Sequence, residues 1–273
     1  MIRPARPVAA LAAAAALALG LAACDGSGGG DYVTPGKITI ATAEPAYPPY
    51  VIDDPEDGEG FEAALAYAVA EELGFEPSDV VWVRSDFNAA IAPGPKDYDF
   101  NLQQVSISDE RAEDVDFSSP YYEAPQAVVT VAGSAAEGVT TVAGLQGLLL
   151  GAQTGTTSLG TIEDVIQPAQ SAAVFNTNDE AVIALQNDQV DAIVVDLPTA
   201  LYLTAAVLEN GVVLGQLPLA EGEAADQWGI VLEKGSPLTD EVTAAVDALR
   251  ESGALAAITE EWMSDYAGAP VLQ

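Results

Sequence analysis

A run of polar side chains follows a short strand pattern near the middle of the chain and ends at an arginine. Phe100 and Leu102 alternate with polar residues as in a strand, and Gln104 and Ser106 follow where that strand would end. In open α/β sheets, small ligands bind beyond the carboxyl ends of the strands, so these two side chains are placed to hold one. Arg111 lies in the first turn of a predicted helix, where the helix macrodipole disfavours a cation. The pattern therefore predicts an anionic partner for Arg111.

The sequence leaves two partners open for Arg111. One is Asp114 at i+3, a surface ion pair worth roughly 0.2–0.5 kcal/mol. The other is an anionic group of a bound ligand, which a guanidinium binds through two parallel hydrogen bonds. Other cations are scarce, because the chain without its first 24 residues keeps six basic residues against 42 acidic ones, a formal charge of −36. That scarcity favours an anion-binding role for Arg111.

The chain contains no histidine and a single cysteine. This composition excludes Ser-His-Asp and Cys-His catalysis and any metal site with an imidazole ligand. No spacing among the acidic residues singles out a catalytic carboxylate pair, and no EF-hand spacing indicates calcium. Paired carboxylates and calcium held by surface carboxylates stay open, but nothing in the spacing supports them, and we expect a site without metal or cofactor. The negative charge predicts repulsion of nucleic acid and anionic lipid, and it is typical of a solvated or salt-adapted surface.

Residues 1–24 are predicted to form a secretory signal peptide. Two arginines precede an apolar run of about 15 residues, shorter than the roughly 20 that a membrane span requires. The segment ends in L-A-A-C, which resembles the lipobox of bacterial lipoproteins, so Cys24 is the predicted lipidation site. An ordinary signal peptide with a cysteine near its end is the alternative. The Gly/Ser-rich residues 25–36 are predicted to form a flexible tether.

From Lys37 onwards, strand patterns alternate with helix patterns. Such alternation predicts an α/β fold with mainly parallel sheets and helices on both faces. About 240 residues suffice for two lobes of ordinary domain size. An apolar strand after Tyr122 is suited to crossing between them. We expect one lobe from residues 37–124 with 225–273, and the other from residues 125–224.

The run S-I-S-D-E-R-A-E-D-V-D-F-S-S-P-Y at residues 106–121 resembles the signature of family 3 extracellular solute-binding proteins, the amino-acid receptors of ABC importers. Further matching motifs follow in the family's order between about Lys37 and Tyr266: A-E-P-A-Y-P-P-Y, G-F-E, Q-T-G-T-T, V-D-A-I-V-V-D, W-G-I-V and E-E-W. The resemblance implies the type II periplasmic-binding-protein fold, in which two α/β lobes are joined by a two-strand hinge. The ligand would lie in the cleft between the lobes.

The resemblance also implies which polar residues hold the ligand. Arg111 would bind the α-carboxylate and Asp196 the α-ammonium. Thr156 and Thr157, at a predicted helix N-terminus, would contact the same carboxylate. The sequence leaves two other roles open, since the threonines could only cap a helix and Asp196 could only end a strand.

Aromatic and acidic residues are implied at the ligand's side chain. Tyr47 would cover it, with Tyr50 beside that ring and Phe87 opposite. Glu44 matches an acidic position that basic-amino-acid binders use near the end of the side chain. Each aromatic residue could instead pack at a domain edge.

The chain departs from the family at Gln103 and Gln104, where small residues are usual, because a glutamine adds volume, donors and an acceptor. The prediction is a monomeric receptor, lipid-anchored on the extracellular face of the membrane, that binds a polar or basic amino acid and delivers it to the membrane subunits of an ABC importer. Three alternatives stay open: a sensory or structural lipoprotein of the same fold, an enzyme similar to cyclohexadienyl dehydratase, and a carboxylate-pair glycosidase.

Overall fold

The structure is a computed structural model that describes residues 32–219, 222 and 224–273. The predicted signal peptide, its Cys24 and the first part of the predicted tether lie outside these residues. Among the helices that are described, none is long and apolar enough to cross a bilayer.

The described residues form twelve strands, most of them short. They are β1 (Ile38–Ala43), β2 (Val80–Ser85), β3 (Phe100–Asn101), β4 (Val115–Phe117), β5 (Tyr122–Ala124), β6 (Gln126–Val131), β7 (Leu150–Gln153), β8 (Ala173–Phe175), β9 (Ala192–Asp196), β10 (Gly211–Gln216), β11 (Asp226–Trp228) and β12 (Val231–Glu233). Nine α-helices accompany these strands in the described residues. They are α1 (Phe61–Glu72), α2 (Phe87–Ile91), α3 (Arg111–Asp114), α4 (Val142–Leu145), α5 (Thr157–Thr161), α6 (Asn178–Gln186), α7 (Leu197–Tyr202), α8 (Thr239–Ser252) and α9 (Ala254–Met263).

The strands form two five-stranded sheets, in the orders β2-β1-β3-β12-β4 and β10-β6-β9-β7-β8. Each sheet has two parallel and two antiparallel strand pairs. The sequence predicted mainly parallel sheets, which is wrong for half of these pairs. The reason is that β6 and β12 enter their sheets directly from the connection between the sheets, so they run against their neighbours.

The connection between the two sheets is a two-stranded antiparallel ribbon, in which β5 pairs with β11. Its Trp228 is fully buried. The ring centres of Tyr122, Tyr50 and Tyr121 lie 5.0, 5.6 and 6.3 Å from that of Trp228. Aromatic pairs at such distances add to the stabilisation from burial, so the ribbon is fixed to the core of the first sheet.

Helices α1, α8 and α9 pack on one face of the first sheet and bury its main apolar core. The N-cap of α1 is Gly60, whose φ is 107° and where a Cβ atom would lie 2.6 Å from the carbonyl oxygen of Tyr50. Only glycine accepts this backbone conformation and this close approach. The helix is apolar on most sides, as its burial requires, and Glu62 in its first turn is 1% exposed.

The second sheet buries an apolar core on each of its faces. Helices α6 and α7 contribute to one core, and α5 with the π-helical turn Ile162–Ile166 contributes to the other. The regular alternation of short strands and helices that the sequence predicted is therefore observed in both halves of the molecule.

The last residues of the chain leave α9 and pack against the second sheet. The amide of Gln216 donates to the carbonyl of Pro270 at 2.8 Å, and the amide of Leu272 donates to the carbonyl of Gln216 at 2.9 Å. The side chain of Leu272 is 3% exposed and belongs to the core of that sheet. At Gly215 a Cβ atom would lie 2.6 Å from the carbonyl oxygen of Pro270, so the tail contacts the edge strand β10 closely.

Candidate ligand-binding cleft

A cleft with a cavity volume of about 80 Å³ lies between the two sheets, where strand ends from both sides converge. Of the ten substrate-contact residues predicted from the sequence, Tyr50 does not line the cleft and the other nine do. The nine are Glu44, Tyr47, Phe87, Gln104, Ser106, Arg111, Thr156, Thr157 and Asp196. The cleft therefore brings together residues that are far apart in the chain and that the prediction grouped.

Arg111 lies on the first-sheet wall and reaches across the cleft. Its Nη1 donates to the carbonyl of Ser106 at 2.5 Å, and its Nη2 donates to the carbonyl of Gly155 on the opposite wall at 2.8 Å. Its Cζ lies 5.6 Å from the ring centre of Phe87. The surface ion pair with Asp114, left open by the sequence, is not among the ion pairs formed by the described residues. The guanidinium therefore faces the cleft without a paired carboxylate.

Asp196 ends β9 on the second-sheet wall. Its Oδ1 accepts from Nε2 of Gln126 at 2.6 Å, and the same Nε2 donates to Oδ2 of Asp226 at 2.8 Å. Burial raises the pKa of Asp196 to about 7, and the negative charge of Asp226 acts in the same direction. The hydrogen bond from Gln126 and the charge of Arg111 oppose that rise. Asp196 thus presents a carboxylate that a cationic group would stabilise.

Gln126 connects the acidic residues to α5. Its Oε1 accepts from the hydroxyl of Ser158 at 2.6 Å, which fixes the orientation of the amide. Gln126 was not predicted from the sequence, because a polar residue followed by an apolar run looks like the start of an ordinary strand. A polar residue at the first position of a buried strand was the available signal.

The two threonines have different roles in the structure. Thr156 is the N-cap of α5, and its hydroxyl donates to the carbonyl of Gln153 at 2.7 Å and accepts from the amide of Leu159 at 3.3 Å. The Oγ1 of Thr157 lies 3.4 Å from Oγ of Ser106, across the cleft. Thr157 therefore keeps a hydroxyl directed at the opposite wall, while that of Thr156 serves the helix cap.

The two tyrosines of the Pro-rich loop point to different places. Tyr47 lines the cleft, and its ring centre lies 6.2 Å from that of Tyr202. Burial raises the pKa of Tyr47, and the Asp179 carboxylate adds to the rise. Tyr50, expected beside it in the cleft, is instead buried in the core with 1% exposure, and its hydroxyl lies 2.8 Å from that of Thr199. Its position behind the wall follows from its packing on Trp228.

Gln104 is held by the buried carboxylate of Glu62, for which the sequence predicted no role. Its backbone amide donates to Oε1 of Glu62 at 2.9 Å, and its side-chain amide and the Tyr121 hydroxyl also donate to this carboxylate. These bonds fix Gln104 in a left-handed conformation with φ of 55°. Burial raises the pKa of Glu62 to about 7 against these three donors. The Gln104 amide nitrogen is therefore directed at Glu62 behind the wall.

Acidic residues at the other end of the cleft have partners. Nε of Arg84 lies 3.6 Å from Oε2 of Glu44, whose side chain is 64% exposed. Oδ1 of Asp86 caps α2 by accepting from the amide of Asn88 at 2.9 Å. In the described part of the chain, no group of three or more His, Cys, Asp or Glu is arranged to hold a metal ion.

Two α/β halves joined by a strand ribbon, with a polar cleft between them, define the type II periplasmic-binding-protein fold. The structure resembles an ancestral arginine-binding protein bound to arginine, with a TM-score of 0.68 and 29% identity over 83% of this chain and 98% of the other.

The family model "Bacterial extracellular solute-binding proteins, family 3" matches residues 38–265, and the chain belongs to this family. Its relatives include the L-arginine-binding protein of Pseudomonas aeruginosa, 32% identical over 81% of this chain and 86% of the relative. The arginine-binding extracellular protein ArtP of Bacillus subtilis is 28% identical over 93% of this chain and 96% of the relative. These relatives are named as binding proteins, and the sequence-based assignment to the family is confirmed.

Proposed function

We propose that this protein captures a free amino acid in its cleft and delivers it to the membrane subunits of an ABC importer, without a catalytic step. The observation that carries the proposal is the opposition of charges: Arg111 on one wall faces Asp196 on the other. A zwitterion offers a carboxylate to the first and an ammonium to the second. Ser106 and Thr157 add hydroxyls near the carboxylate, and Tyr47 and Phe87 supply rings for the side chain.

We further propose that residues 37–124 with 225–266 and residues 125–224 with the tail 267–273 act as two lobes that close on the ligand. The sequence predicted the tail in the first lobe, but Leu272 packs in a core of the second sheet. Support comes from the separate apolar cores of the two sheets and from the ribbon that joins them. The lipid on Cys24 would hold this monomeric receptor at the extracellular face of the membrane, with residues 25–36 as a tether that allows it to reach the importer.

A thermal-shift screen of the amino acids with ligand-free protein tests the proposal. A ligand that binds only the folded state stabilises it by RT ln(1 + [L]/Kd), about 4 kcal/mol at a thousandfold excess over Kd. We expect at least one L-amino acid to raise the melting temperature by several degrees. Mass spectrometry of ligand released from the purified protein gives an independent identification. If no amino acid shifts the transition and none is released, the proposed function is wrong.

Binding is expected to weaken as the pH falls below about 7, because the ligand ammonium requires ionised Asp196. In the free protein the raised pKa of Asp196 favours its protonated form. Protonated Asp196 therefore adds to the free energy of unfolding below the usual pKa of an aspartate, and this contribution is lost as the pH rises through about 7. The ammonium of a bound ligand would favour the ionised form of Asp196, so binding would release the proton from this carboxyl group. Calorimetry at pH 6, in two buffers of different ionisation enthalpy, should detect proton release on binding.

Two variants separate Asp196 from other acids in this experiment. Asp196→Asn should abolish most of the proton release, whereas Asp226→Asn should shift the acid limb of the affinity profile to lower pH by removing a neighbouring negative charge. Glu62, whose pKa is also raised to about 7, lies behind the wall, and its negative charge contributes to the raised pKa of Asp196. Unchanged proton release in Asp196→Asn would contradict this assignment.

Cys24→Ser is expected to prevent anchoring of the protein at the membrane. A lipid on the cysteine, rather than a peptide span, would hold the chain, so the variant should appear in the medium or remain unprocessed. Fractionation of cells followed by immunoblotting measures this, with the Ser27→Ala change in the predicted tether as a control for the region. A Cys24→Ser protein of mature size in the membrane fraction would rule out lipid anchoring.

A further inference from the structure

Gln103 has unused hydrogen-bonding capacity at the wall of the cleft. Its side chain is 2% exposed, and neither Nε2 nor Oε1 has a hydrogen-bond partner among the described residues. Buried amides without partners carry a desolvation penalty that partners would remove. Other described residues have buried unpartnered polar atoms, which are Thr42, Tyr98, Asn101 and Trp228, but of this group only Gln103 lines the cleft.

The register of the first sheet locates Gln103 along the cleft. Ala41 pairs with Asn101, and Ala43 pairs with Ser85. Strands β2, β1 and β3 are neighbours in that order and about 4.8 Å apart, so Ser85, Ala43 and Gln103 follow one another along the wall. Ser106 follows β3 in the chain and pairs with Trp228, which precedes β12, the neighbour of β3 on the side away from β1. An amino acid whose carboxylate lies at Arg111 and Ser106 therefore extends its side chain past Gln103.

The acidic residues at this end of the cleft have partners within the protein. Glu44 pairs with Arg84, and Asp86 caps α2 through its Oδ1. Arg84 does not line the cleft, but its charge partly offsets that of Glu44 for a cationic side chain bound there. An anionic side chain would meet the carboxylates of both Glu44 and Asp86. The local charges thus disfavour an anionic ligand side chain, and the pairing of Glu44 with Arg84 reduces the attraction for a cationic one.

We propose that the cleft selects an amino acid with a carboxamide side chain, of the L-glutamine or L-asparagine type, and that Gln103 determines this specificity. Nε2 of Gln103 donates to the ligand's amide carbonyl, and the ligand's NH₂ group donates to Oε1. An ammonium or guanidinium offers only donors and a carboxylate only acceptors, so each leaves one atom of Gln103 buried without a partner. This inference rests on the proposed function and names the side-chain class within it.

Calorimetric titration of protein refolded from denaturant, which removes bound ligand, tests the proposal with L-glutamine, L-asparagine, L-arginine, L-glutamate and L-leucine. One of the two amides should bind at least about tenfold more tightly than each of the other three, because a site built for hydrogen bonds rejects ligands that cannot complete them. Gln103→Met keeps the length of the side chain and removes its donor and acceptor. It should weaken binding of the amide by about tenfold or more and change L-leucine binding by less than about twofold.

Gln186→Met is the matched control, since it makes the same change at an exposed position at the end of α6, outside the cleft. It should bind every ligand as the unmodified protein does. Tighter binding of arginine, glutamate or leucine than of both amides overturns the proposal while amino-acid capture stands. Equal weakening of amide and leucine binding by Gln103→Met also overturns it, because a packing role predicts that result. If no amino acid binds, the proposed function fails with it. Should Gln103→Met not fold, the ranking of ligands by the unmodified protein decides alone.

Discussion

Replacement of Arg111 by alanine is expected to weaken amino-acid binding by at least about 2 kcal/mol, which is roughly thirtyfold. The guanidinium is oriented by the carbonyls of Ser106 and Gly155, so it is prepared for a carboxylate before the ligand arrives. Its loss would leave the ligand carboxylate buried without a charged partner. Arg111→Lys should give an intermediate loss, because an ammonium keeps the charge and lacks the two-pronged geometry. Isothermal titration calorimetry measures both effects.

Arg250→Ala is the control for this experiment. Arg250 is exposed on α8, where Nη1 lies 2.5 Å from Oδ1 of Asp247, so its removal changes the net charge by the same amount without touching the cleft. Its affinity should equal that of the unmodified protein. The assignment of Arg111 to the ligand carboxylate is wrong if Arg111→Ala binds within twofold of the unmodified protein.

Replacement of Asp196 by asparagine is expected to weaken binding by about 2 kcal/mol or more and to reduce closure of the molecule on its ligand. The asparagine keeps an oxygen that accepts from Gln126 but loses the charge that attracts the ammonium. A ligand shifts an open–closed equilibrium only through its differential affinity for the two forms, and the ammonium reaches Asp196 only when the walls approach. Solution X-ray scattering with saturating ligand should show a smaller decrease in radius of gyration than for the unmodified protein.

Two further variants sharpen this test. Asp188→Asn makes the same chemical change at an exposed residue with φ of 54°, a conformation that asparagine also tolerates, and it should close normally. Tyr47→Ala should weaken binding by removing ring contact while preserving compaction at saturation. A ligand that leaves the radius of gyration of the unmodified protein unchanged would exclude closure as proposed, as would full compaction of Asp196→Asn.

Local sequence patterns were sufficient to predict much of the first-sheet wall. Gln104, Ser106 and Arg111 lie within eight positions of one another, where a strand ends and a helix begins, and the structure places all three at the cleft. The end of a strand and the start of a helix depend on neighbouring residues, so both can be predicted from the local sequence. Asp196 and Thr157 on the opposite wall were found only through family motifs, because no local rule relates them to Arg111.

Side-chain partners distant in sequence could not be predicted. Glu62 contacts Gln104, 42 positions away, and Gln126 contacts Asp196, 70 positions away. Both contacts arise only when strands and helices assemble, and an acid in an apolar helix gives no indication of its partner. The orientation of Tyr50 is similar. Two tyrosines three positions apart in a Pro-rich loop look equivalent, and packing against Trp228 decides which of them is buried.

The carboxyl-terminal tail affects how the halves of the molecule can move. The chain crosses between the sheets twice through the ribbon of β5 and β11, and a third time where residues 267–273 run from α9 to β10. Two adjacent strands alone would permit both bending and twisting about their axis. For the proposed closure, a third attachment away from that axis would resist twisting and set an upper bound on the opening angle, unless Leu272 leaves its core. The short span between α9 and Ala269, where the contacts with the second sheet begin, would then limit how wide the entrance for the ligand becomes.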